Sequence, residues 1–178
     1  MNIICISGKA RHGKDTFAGF LADALERRGQ NVEIFHYADL LKFIAKQYFG
    51  WDGVKDDAGR TILQKIGTDI VRERDPDFWV NYAIDLFSVF SEEWDYVLIP
   101  DCRFPNEIQR MKEAGFNRVE HFEISRGASF DNGLTEAQKN HPSETALDDV
   151  EADHYIRNFW GLEELQITAE QTALDLLY

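Results

Sequence analysis

The spacing of hydrophobic positions changes several times along the chain. Short apolar or alternating runs predict β-strands, and apolar positions that recur every three or four residues predict helices. Because the two kinds of segment alternate, we predict a three-layer α/β fold around a mostly parallel sheet of about five strands. The predicted strands cover residues 3–7, 32–37, 96–101, 118–124 and 153–158, and the predicted helices cover 14–28, 38–48, 60–74, 78–90, 104–114 and 162–177.

Four segments carry more specific expectations. Gly67 interrupts the helix at 60–74, where glycine costs about 1 kcal/mol relative to alanine, so another group is expected to approach it closely. The polar segment 51–59 before that helix is predicted to be a loop. In the helix at 38–48 and in the last helix, the residues expected to face the core are Leu41, Ile44, Ala45, Tyr48, Leu162, Leu165, Ala169, Ala173 and Leu176.

The first strand leads into a glycine-rich loop that opens a helix. Gly8, Gly13 and Lys14 have the G-x-x-x-x-G-K spacing of a phosphate-binding loop. Glycine lets successive backbone N–H groups curl around a phosphate chain, and the helix N-terminus adds a partial positive charge. Asp15 stands where such loops usually carry the Ser or Thr that binds magnesium, and Thr16 follows it. A surface turn is the simpler interpretation, but the flanking strand and amphipathic helix favour a phosphate site.

A second candidate site follows the apolar run at 96–99. That run leads to Asp101, as a central parallel strand does when its tip carries a magnesium-linked carboxylate. Arg103 follows two residues later and is expected to bind a phosphoryl group through two N–H donors. The alternative for Arg103 is an ion pair with Glu107 on the same helix.

Three other groups of polar and aromatic residues each allow two interpretations. Asp39 is either the N-cap of its helix or, with Lys42, part of a ligand site at the edge of the sheet. Trp79 is either a core residue or part of a pocket for a base. One face of the helix at 60–74 is either solvated or part of a site, and it carries Gln64, Thr68, Asp69 and Arg72.

The stretch at 125–144 is polar and has little periodicity. A segment of this length inside a compact domain is usually functional or mobile. Arg126 stands near its start. His141 near its end is expected to pack or cap a loop and not to act as a base.

Charge narrows the class of ligand. The net charge of −13 and the lack of a basic stripe argue against nucleic acid as a partner. Positive charge is concentrated around the glycine loop, at Lys9, Arg11 and Lys14. A small nucleotide therefore fits the sequence better than a polymer.

Composition sets the class of protein. With 178 residues, 44% of them apolar, the chain is expected to form a single soluble domain with a substantial core. Apolar runs fall short of the ~20 residues that a membrane span requires. The start of the chain lacks the pattern of a secretion signal, so a cytoplasmic protein is expected. Cys5 and Cys102 are expected to be buried and unpaired.

Several residue groups match one pattern together: Gly8-x4-Gly13-Lys14-Asp15-Thr16, Ala38-Asp39-x2-Lys42, Leu63-Gln64-x2-Gly67-Thr68-Asp69-x2-Arg72, Trp79-Val80, Pro100-Asp101-x-Arg103 and His141-x-Ser143-Glu144. Over residues 1–160 the chain resembles the phage-type deoxynucleoside monophosphate kinases of the P-loop kinase superfamily. Gly-Lys-Asp-Thr is that family's own version of the loop, which accounts for Asp15. The resemblance implies one P-loop NTPase domain of the nucleoside monophosphate kinase type at 1–178, with an acceptor-binding region at 38–80 and a lid-like segment at 125–145.

The resemblance also implies phosphoryl transfer from ATP to a nucleoside monophosphate, with Mg²⁺ as the metal. Asp15 and Asp101 would hold the Mg²⁺. The ATP phosphates would lie on Gly8, Lys9, Ala10, Arg11, His12, Gly13, Lys14, Asp15 and Thr16. The acceptor would contact Asp39, Lys42, Gln64, Thr68, Asp69, Arg72, Trp79 and Arg103. The catalytic group would consist of Lys14, Arg11, Asp101, Arg103 and Arg126.

The sequence leaves two other functions open. One is a P-loop kinase for another small phosphorylated acceptor, such as phosphomevalonate, and the other is an ATP-binding regulatory protein without transfer activity. Phe159-Trp160 departs from the Asp-Gly-like turn expected of the family. The chain is expected to act as a monomer or a homodimer.

Overall fold

The structure is a computed structural model that describes residues 1–54, 56–127 and 129–178. Lys55, in the predicted loop at 51–59, and Ala128, in the predicted lid-like segment, lie outside the described residues. The strands are β1 (Asn2–Ser7), β2 (Val32–Ile34), β3 (Tyr96–Ile99), β4 (Arg118–Ser125) and β5 (His154–Arg157). The helices are α1 (Lys14–Glu26), α2 (Tyr37–Tyr48), α3 (Asp57–Gln64), α4 (Phe78–Val89), α5 (Pro105–Glu113), α6 (Glu136–Lys139), α7 (Pro142–Thr145) and α8 (Leu162–Leu177), and a π-helix (Lys65–Arg72) continues α3.

The strands form one sheet with the order β2-β3-β1-β4-β5, and every recorded pair is parallel. β1 lies at the centre, with Asn2 opposite Tyr96 of β3 on one side and opposite Arg118 of β4 on the other. The predicted α/β fold with a parallel sheet of about five strands is confirmed.

Helices cover both faces of the sheet. The side chains of each strand alternate in direction, so β1 presents apolar side chains to both layers of helices. Ile4 and Ile6 of β1 pack against α1 and α8. Ile3 and Cys5 point the other way and pack against α2, α4 and α5. The central strand is therefore buried on both sides, as its uninterrupted apolar sequence indicates.

Several predicted boundaries and burial assignments are wrong. β2 ends at Ile34 and α2 begins at Tyr37, because the Asp101 carboxylate accepts hydrogen bonds from the amides of Tyr37 and Ala38 and turns the chain into a helix. Tyr48 and Leu162 were expected in the core but are 71% and 65% exposed, since each lies at the end of its helix.

The predicted loop at 51–59 is shorter than expected. Asp56 caps α3 by accepting a hydrogen bond from the Gly59 amide, so the helix begins at Asp57. Trp51 is buried with Ala45, Leu63 and Ile66 in a small separate core. The close approach predicted at Gly67 is confirmed, because a Cβ there would lie 2.8 Å from Cδ2 of Leu41.

Cys5 and Cys102 are buried and unpaired, as predicted. None of the helices in the described part of the chain has the length and apolar composition needed to cross a bilayer.

Candidate active site

The order of the strands creates a crevice between β1 and β3. From β1 the chain crosses over β3 to reach β2, and from β3 it crosses back over β1 to reach β4. Parallel α/β sheets bind ligands at such a switch point, outside the carboxyl ends of the strands. A cavity of about 460 Å³ lies there, lined by the glycine loop, α2, α3, the π-helix, the turn after β3 and parts of the segment 134–143.

The glycine loop fills the β1 side of this crevice. Gly8 has φ +134°, and a Cβ there would lie 2.2 Å from the carbonyl oxygen of Ile124. Gly13 has φ +97° and lies against Asn158, whose Nδ2 donates to the carbonyl of His12 at 3.0 Å. Neither backbone position accommodates another residue without strain. Asn158 therefore helps to hold the loop, although nothing local in the sequence pointed to it.

Lys14 is the first residue of α1 and is only 5% exposed. Its Nζ donates to the carbonyl oxygens of Gly8 at 2.8 Å and Lys9 at 3.0 Å, which holds the ammonium inside the curve of the loop. Burial, and after it the charge of Arg103, lowers the pKa of Lys14 to about 7. An anion beside this ammonium would favour its charged form.

Of the nine predicted loop residues, the cavity is lined by Ala10, Arg11, Lys14 and Asp15. Thr16 is half-buried in the first turn of α1. Arg11 is exposed and has φ +63°, an uncommon value for a residue with a side chain. Strain of this kind is found mainly at binding sites.

Asp15 and Asp101 line the same cavity. Nε2 of His36 donates to Oδ1 of Asp15 at 2.9 Å, and this bond lowers the pKa of Asp15 and raises that of His36. The oxygens of Asp101 accept from the amides of Tyr37 at 3.1 Å and Ala38 at 2.9 Å, while burial raises the pKa of its carboxyl group. His36 was not predicted as a site residue, although it lies near the carboxyl end of the predicted second strand, at the edge of the sheet where ligands bind.

These carboxylates fit a magnesium ion that is shared with phosphates. Mg²⁺ prefers oxygen ligands and is usually held by one or two carboxylates together with phosphate oxygens and waters. In the described residues no cluster of three or more His, Cys, Asp or Glu side chains forms a complete protein cage. A pair of carboxylates beside a phosphate loop is the donor set that such a shared ion requires.

Both the main-chain amide and the guanidinium of Arg103 form hydrogen bonds. Its amide donates to Oε2 of Glu107 at 2.6 Å. Its guanidinium donates from Nη1 to Oε1 of Glu144 at 2.6 Å and to the carbonyl oxygen of Ser143 at 3.3 Å. The side-chain ion pair with Glu107 that the sequence allowed is therefore not formed; the partner is Glu144.

Glu107 was not predicted as a site residue, yet it joins three parts of the cavity wall. Its side chain is 1% exposed, and its carboxylate accepts from Arg72 and from the amides of Arg103 and Phe104. The guanidinium of Arg72 also stacks on the Phe104 ring at 4.0 Å. Burial raises the pKa of Glu107, and the charge of Arg72 opposes this. Glu107 stands three residues after the N-cap Phe104, at the start of α5, and this capping spacing is the sequence signal for its position.

The predicted acceptor residues divide into two sets. Lining the cavity are Lys42, Gln64, Thr68, Arg72, Trp79 and Arg103. Asp39 and Asp69 do not line it, and their side chains are 65% and 62% exposed. The N-cap interpretation of Asp39 is wrong, because His36 occupies that position and Asp39 pairs with Lys42 at 2.7 Å.

Trp79 is a core residue, as one of its two predicted roles required, and it also reaches the cavity. It is 3% exposed in the core, and one surface of it lines the cavity. Its Nε1 donates to the carbonyl oxygen of Gly67 at 3.1 Å, which ties α4 to the π-helix. A π-helix is rare and often lies at a functional site.

The segment 125–145 lies across one side of the cavity. Leu134, Gln138 and Ser143 line it, and Nε2 of Gln138 donates to Oδ1 of Asp57 at 3.4 Å. His141 caps α7 by accepting from the amide of Ser143, as the sequence indicated. Arg126 does not line the cavity, because its guanidinium lies over the ring of Phe130 at 4.7 Å.

Comparisons with known proteins point to one family. Residues 28–168 match the model of the family described as Deoxynucleotide monophosphate kinase. The Deoxynucleotide monophosphate kinase of Enterobacteria phage T4 is 32% identical over 108 residues, which cover 60% of this chain and 41% of that relative. The chain thus matches less than half the length of this relative.

Solved structures share the fold at low identity. The APS kinase of Mycobacterium tuberculosis, in complex with AMPPNP and APS, gives a TM-score of 0.57 at 12% identity, covering 99% of this chain and 96% of that one. A sugar kinase from Janibacter sp. HTCC2649 gives a TM-score of 0.57 at 15% identity, covering 98% and 95%. These likenesses show the α/β fold alone, and the family match is more specific: the chain belongs to the deoxynucleotide monophosphate kinase family.

Proposed function

We propose that this protein transfers the terminal phosphoryl group of ATP to a deoxynucleoside monophosphate and forms a deoxynucleoside diphosphate and ADP. One observation carries the proposal: the phosphate loop and the group Gln64, Thr68 and Arg72 line the same cavity. A kinase needs its donor and acceptor phosphates to meet in one place. The net charge of −13 supports a free nucleotide, and not a nucleic acid, as the acceptor.

On the donor side, the loop from Gly8 to Thr16 would hold the ATP phosphates. The free N–H groups at the start of α1 point along the helix axis into the loop and favour an anion there. Lys14 would turn from the loop carbonyls toward the β and γ phosphates. Arg11, at the mouth of the cavity, would add a second positive charge.

On the acceptor side, the region 38–80 would bind the monophosphate. The cavity wall there combines apolar Leu41, Leu63 and Trp79 with the polar Lys42 and Gln64. Apolar surface suits a base, and a few placed polar groups orient it. Asp39 and Asp69 are exposed, so they would reach the acceptor only if it extends to the cavity rim.

The transfer itself requires positioning and charge and no general base. An oxygen of the acceptor phosphate bonds to the γ-phosphorus, the bond from that phosphorus to the β–γ bridging oxygen breaks, and ADP leaves with the bonding electrons. Mg²⁺ held by Asp15 and Asp101 would offset charge on the phosphates. Lys14 and Arg103 would stabilise the transferred group, and the segment 125–145, with Arg126, would exclude water.

A direct assay tests the proposal. The protein is incubated with ATP, Mg²⁺ and each deoxynucleoside and ribonucleoside monophosphate in turn, and diphosphates are measured by chromatography. Diphosphate from at least one deoxynucleotide is expected. Tight ATP binding without any diphosphate would favour a regulatory protein instead, and turnover with only a non-nucleotide phosphate would favour another kinase.

Lys14→Ala is expected to lower kcat by roughly a hundredfold or more, since it removes a charge placed on the transferred group. The matched control is Lys46→Ala on the exposed surface of α2. Full turnover in the Lys14 variant would remove the loop from the mechanism.

A further inference from the structure

Glu144 connects two parts of the cavity wall that are distant in sequence. Its Oε2 accepts a hydrogen bond from the amide of Ala10, in the middle of the phosphate loop, at 3.0 Å. Its Oε1 accepts from Nη1 of Arg103, in the turn after β3, at 2.6 Å. One carboxylate therefore holds the loop that follows β1 and the arginine that follows β3 at a fixed separation.

The surroundings make this bridge strong. The Glu144 side chain is 9% exposed, so water competes weakly for its oxygens. The backbone carbonyl of the same residue accepts from Nζ of Lys9 at 2.5 Å, and Lys9 also pairs with Asp148. The negative charge of Glu144 is among the influences that raise the pKa of Lys14 against burial. The segment that carries Glu144 is thus attached to the loop at several points.

We propose that Glu144 is a positioning residue that clamps Arg103 to the phosphate loop, so that the guanidinium and the Lys14 ammonium face the transferred phosphoryl group together. The inference rests on the proposed function, because it assigns Glu144 a part in the same phosphoryl transfer. Glu144 acts through Arg103 and the loop and does not itself contact the phosphates.

The hydrogen bonds of Arg103 support a positioning role for Glu144. They argue against the alternative that the Glu144 carboxylate competes with phosphate for the guanidinium. Glu144 and the carbonyl of Ser143 both use Nη1, and within the described ranges no residue accepts from Nη2 or Nε. A guanidinium has five N–H donors, so three remain for phosphoryl oxygens while the clamp is closed. The amide of Ala10 lies before the N–H groups that begin α1, so Glu144 leaves that helix terminus open to an anion.

Arg103 is also fixed through its main chain. Glu107 accepts from its amide at 2.6 Å, so the backbone position does not depend on Glu144. Removing the Glu144 charge should therefore release the guanidinium and leave the turn in place. A variant of Glu144 therefore tests the position of the guanidinium without moving the main chain of Arg103.

The variant Glu144→Gln keeps the shape of the side chain and removes its charge. The matched control is Glu136→Gln in the same segment, where the side chain is 82% exposed and pairs only with Lys139 within the described part of the chain. We expect kcat to fall roughly 10- to 100-fold for Glu144→Gln, because a small misplacement of a group at the reacting centre costs this much. The KM for ATP should change less than kcat, and the control should match the wild-type protein.

A double variant separates a clamp from a merely structural role. In an Arg103→Ala background, Glu144→Gln should have little additional effect on kcat, because its effect passes through the arginine. If Glu144→Gln does not fold, Glu144→Asp keeps the charge, shortens the reach and should show the same loss of kcat.

Three outcomes would overturn the inference. Wild-type kinetics for Glu144→Gln would mean that the clamp has no effect, and tighter ATP binding would mean that the carboxylate competes with phosphate. If the wild-type protein makes no diphosphate, the proposed function fails, and the clamp is then judged on the free protein. There the amide proton of Ala10 should shift upfield and exchange faster in Glu144→Gln than in Glu136→Gln, and unchanged amides would exclude the contact itself.

Discussion

Lys14 is buried, and burial disfavours the charged form of its side chain. Only 5% of the residue is exposed, and the pKa falls from 10.5 to about 7. The loop carbonyls that accept its hydrogen bonds only partly replace the water that burial removes. The protein therefore loses some stability by holding this ammonium at the proposed phosphate site.

This cost should appear as a dependence of stability on pH. Between pH ~7 and ~10 the unfolded chain keeps a proton on Lys14 that the folded protein has lost, so the free energy of unfolding should rise with pH by up to about 1.4 kcal/mol per unit. Lys14→Met removes the titration. Urea unfolding of both proteins should show the wild type gaining on the variant as pH rises, and a constant difference would mean that Lys14 has an ordinary pKa.

Glu107 is a second buried ionisable residue, and, unlike Lys14 in the described part of the chain, it forms an ion pair, with Arg72. Glu107→Gln would leave Arg72, whose side chain is 12% exposed, without its counter-ion. We expect a loss of about 3–5 kcal/mol in the free energy of unfolding, the usual cost of breaking a buried pair. The control is Glu113→Gln on the same helix, which is 51% exposed and should change stability by less than about 0.5 kcal/mol. Equal stability of the two variants in urea would contradict this account.

Among the elements, the π-helix brings together the proposed acceptor side of the site. Gly67 lies against Leu41 of α2 and offers its carbonyl to Trp79 of α4, so three helices meet at one residue. Gly67, Leu41 and Trp79 all line the cavity. The shape of the proposed acceptor pocket therefore depends on how closely α2 approaches the π-helix.

Gly67→Ala should separate stability from binding. The added Cβ would lie 2.8 Å from Cδ2 of Leu41 and force that side chain to move, while alanine gains up to about 1 kcal/mol of helix propensity. We expect a change in unfolding free energy below about 1 kcal/mol but a clear change in KM for the monophosphate. Leu41→Ala in the same chain should reduce the change in KM. An unaltered KM in the single variant would show that this contact does not shape the pocket.

Local patterns predicted the elements better than the contacts between them. The loop from Gly8 to Thr16 was found because its residues are contiguous and each has a local physical role. The bond between Arg103 and Glu144 and the pair of Arg72 and Glu107 join residues 41 and 35 positions apart. Only the fold brings such residues together, so the sequence assigned Arg103 the wrong alternative partner and gave Glu107 no part in the site.

Boundaries were missed for a related reason. The second strand was predicted through Tyr37, but the Asp101 carboxylate captures the amides of Tyr37 and Ala38 and starts α2 there. A carboxylate 64 positions away thus decides where a strand stops. Strand identity and order of elements followed from hydrophobic periodicity, and these long-range hydrogen bonds did not.

At the scale of the whole molecule, β3 is the strand that completes the sheet near the site. β1 pairs with β3 and β4, and within the described residues β2 pairs with β3 alone. Before β3 exists, neither of the first two strands has a partner. Both walls of the crevice, the phosphate loop after β1 and Asp101 after β3, therefore form together.

A fragment of residues 1–95 should accordingly lack a sheet. Its far-ultraviolet circular dichroism should show helix without strand, and it should be cut rapidly by protease. A fragment of residues 1–125 contains four of the five strands and should resist protease better, because β1 would then be paired on both sides. A protected, ATP-binding fragment 1–95 would contradict this account.

The central position of β1 also has a consequence for synthesis in the cell. The first strand leaves the ribosome roughly 5–20 s before its partner residues 96–99 at ordinary rates of translation. During that time Ile3, Ile4 and Ile6 have no sheet to enter. The segment that leads into the glycine loop is then an exposed apolar stretch, and it stays prone to aggregation until β3 emerges.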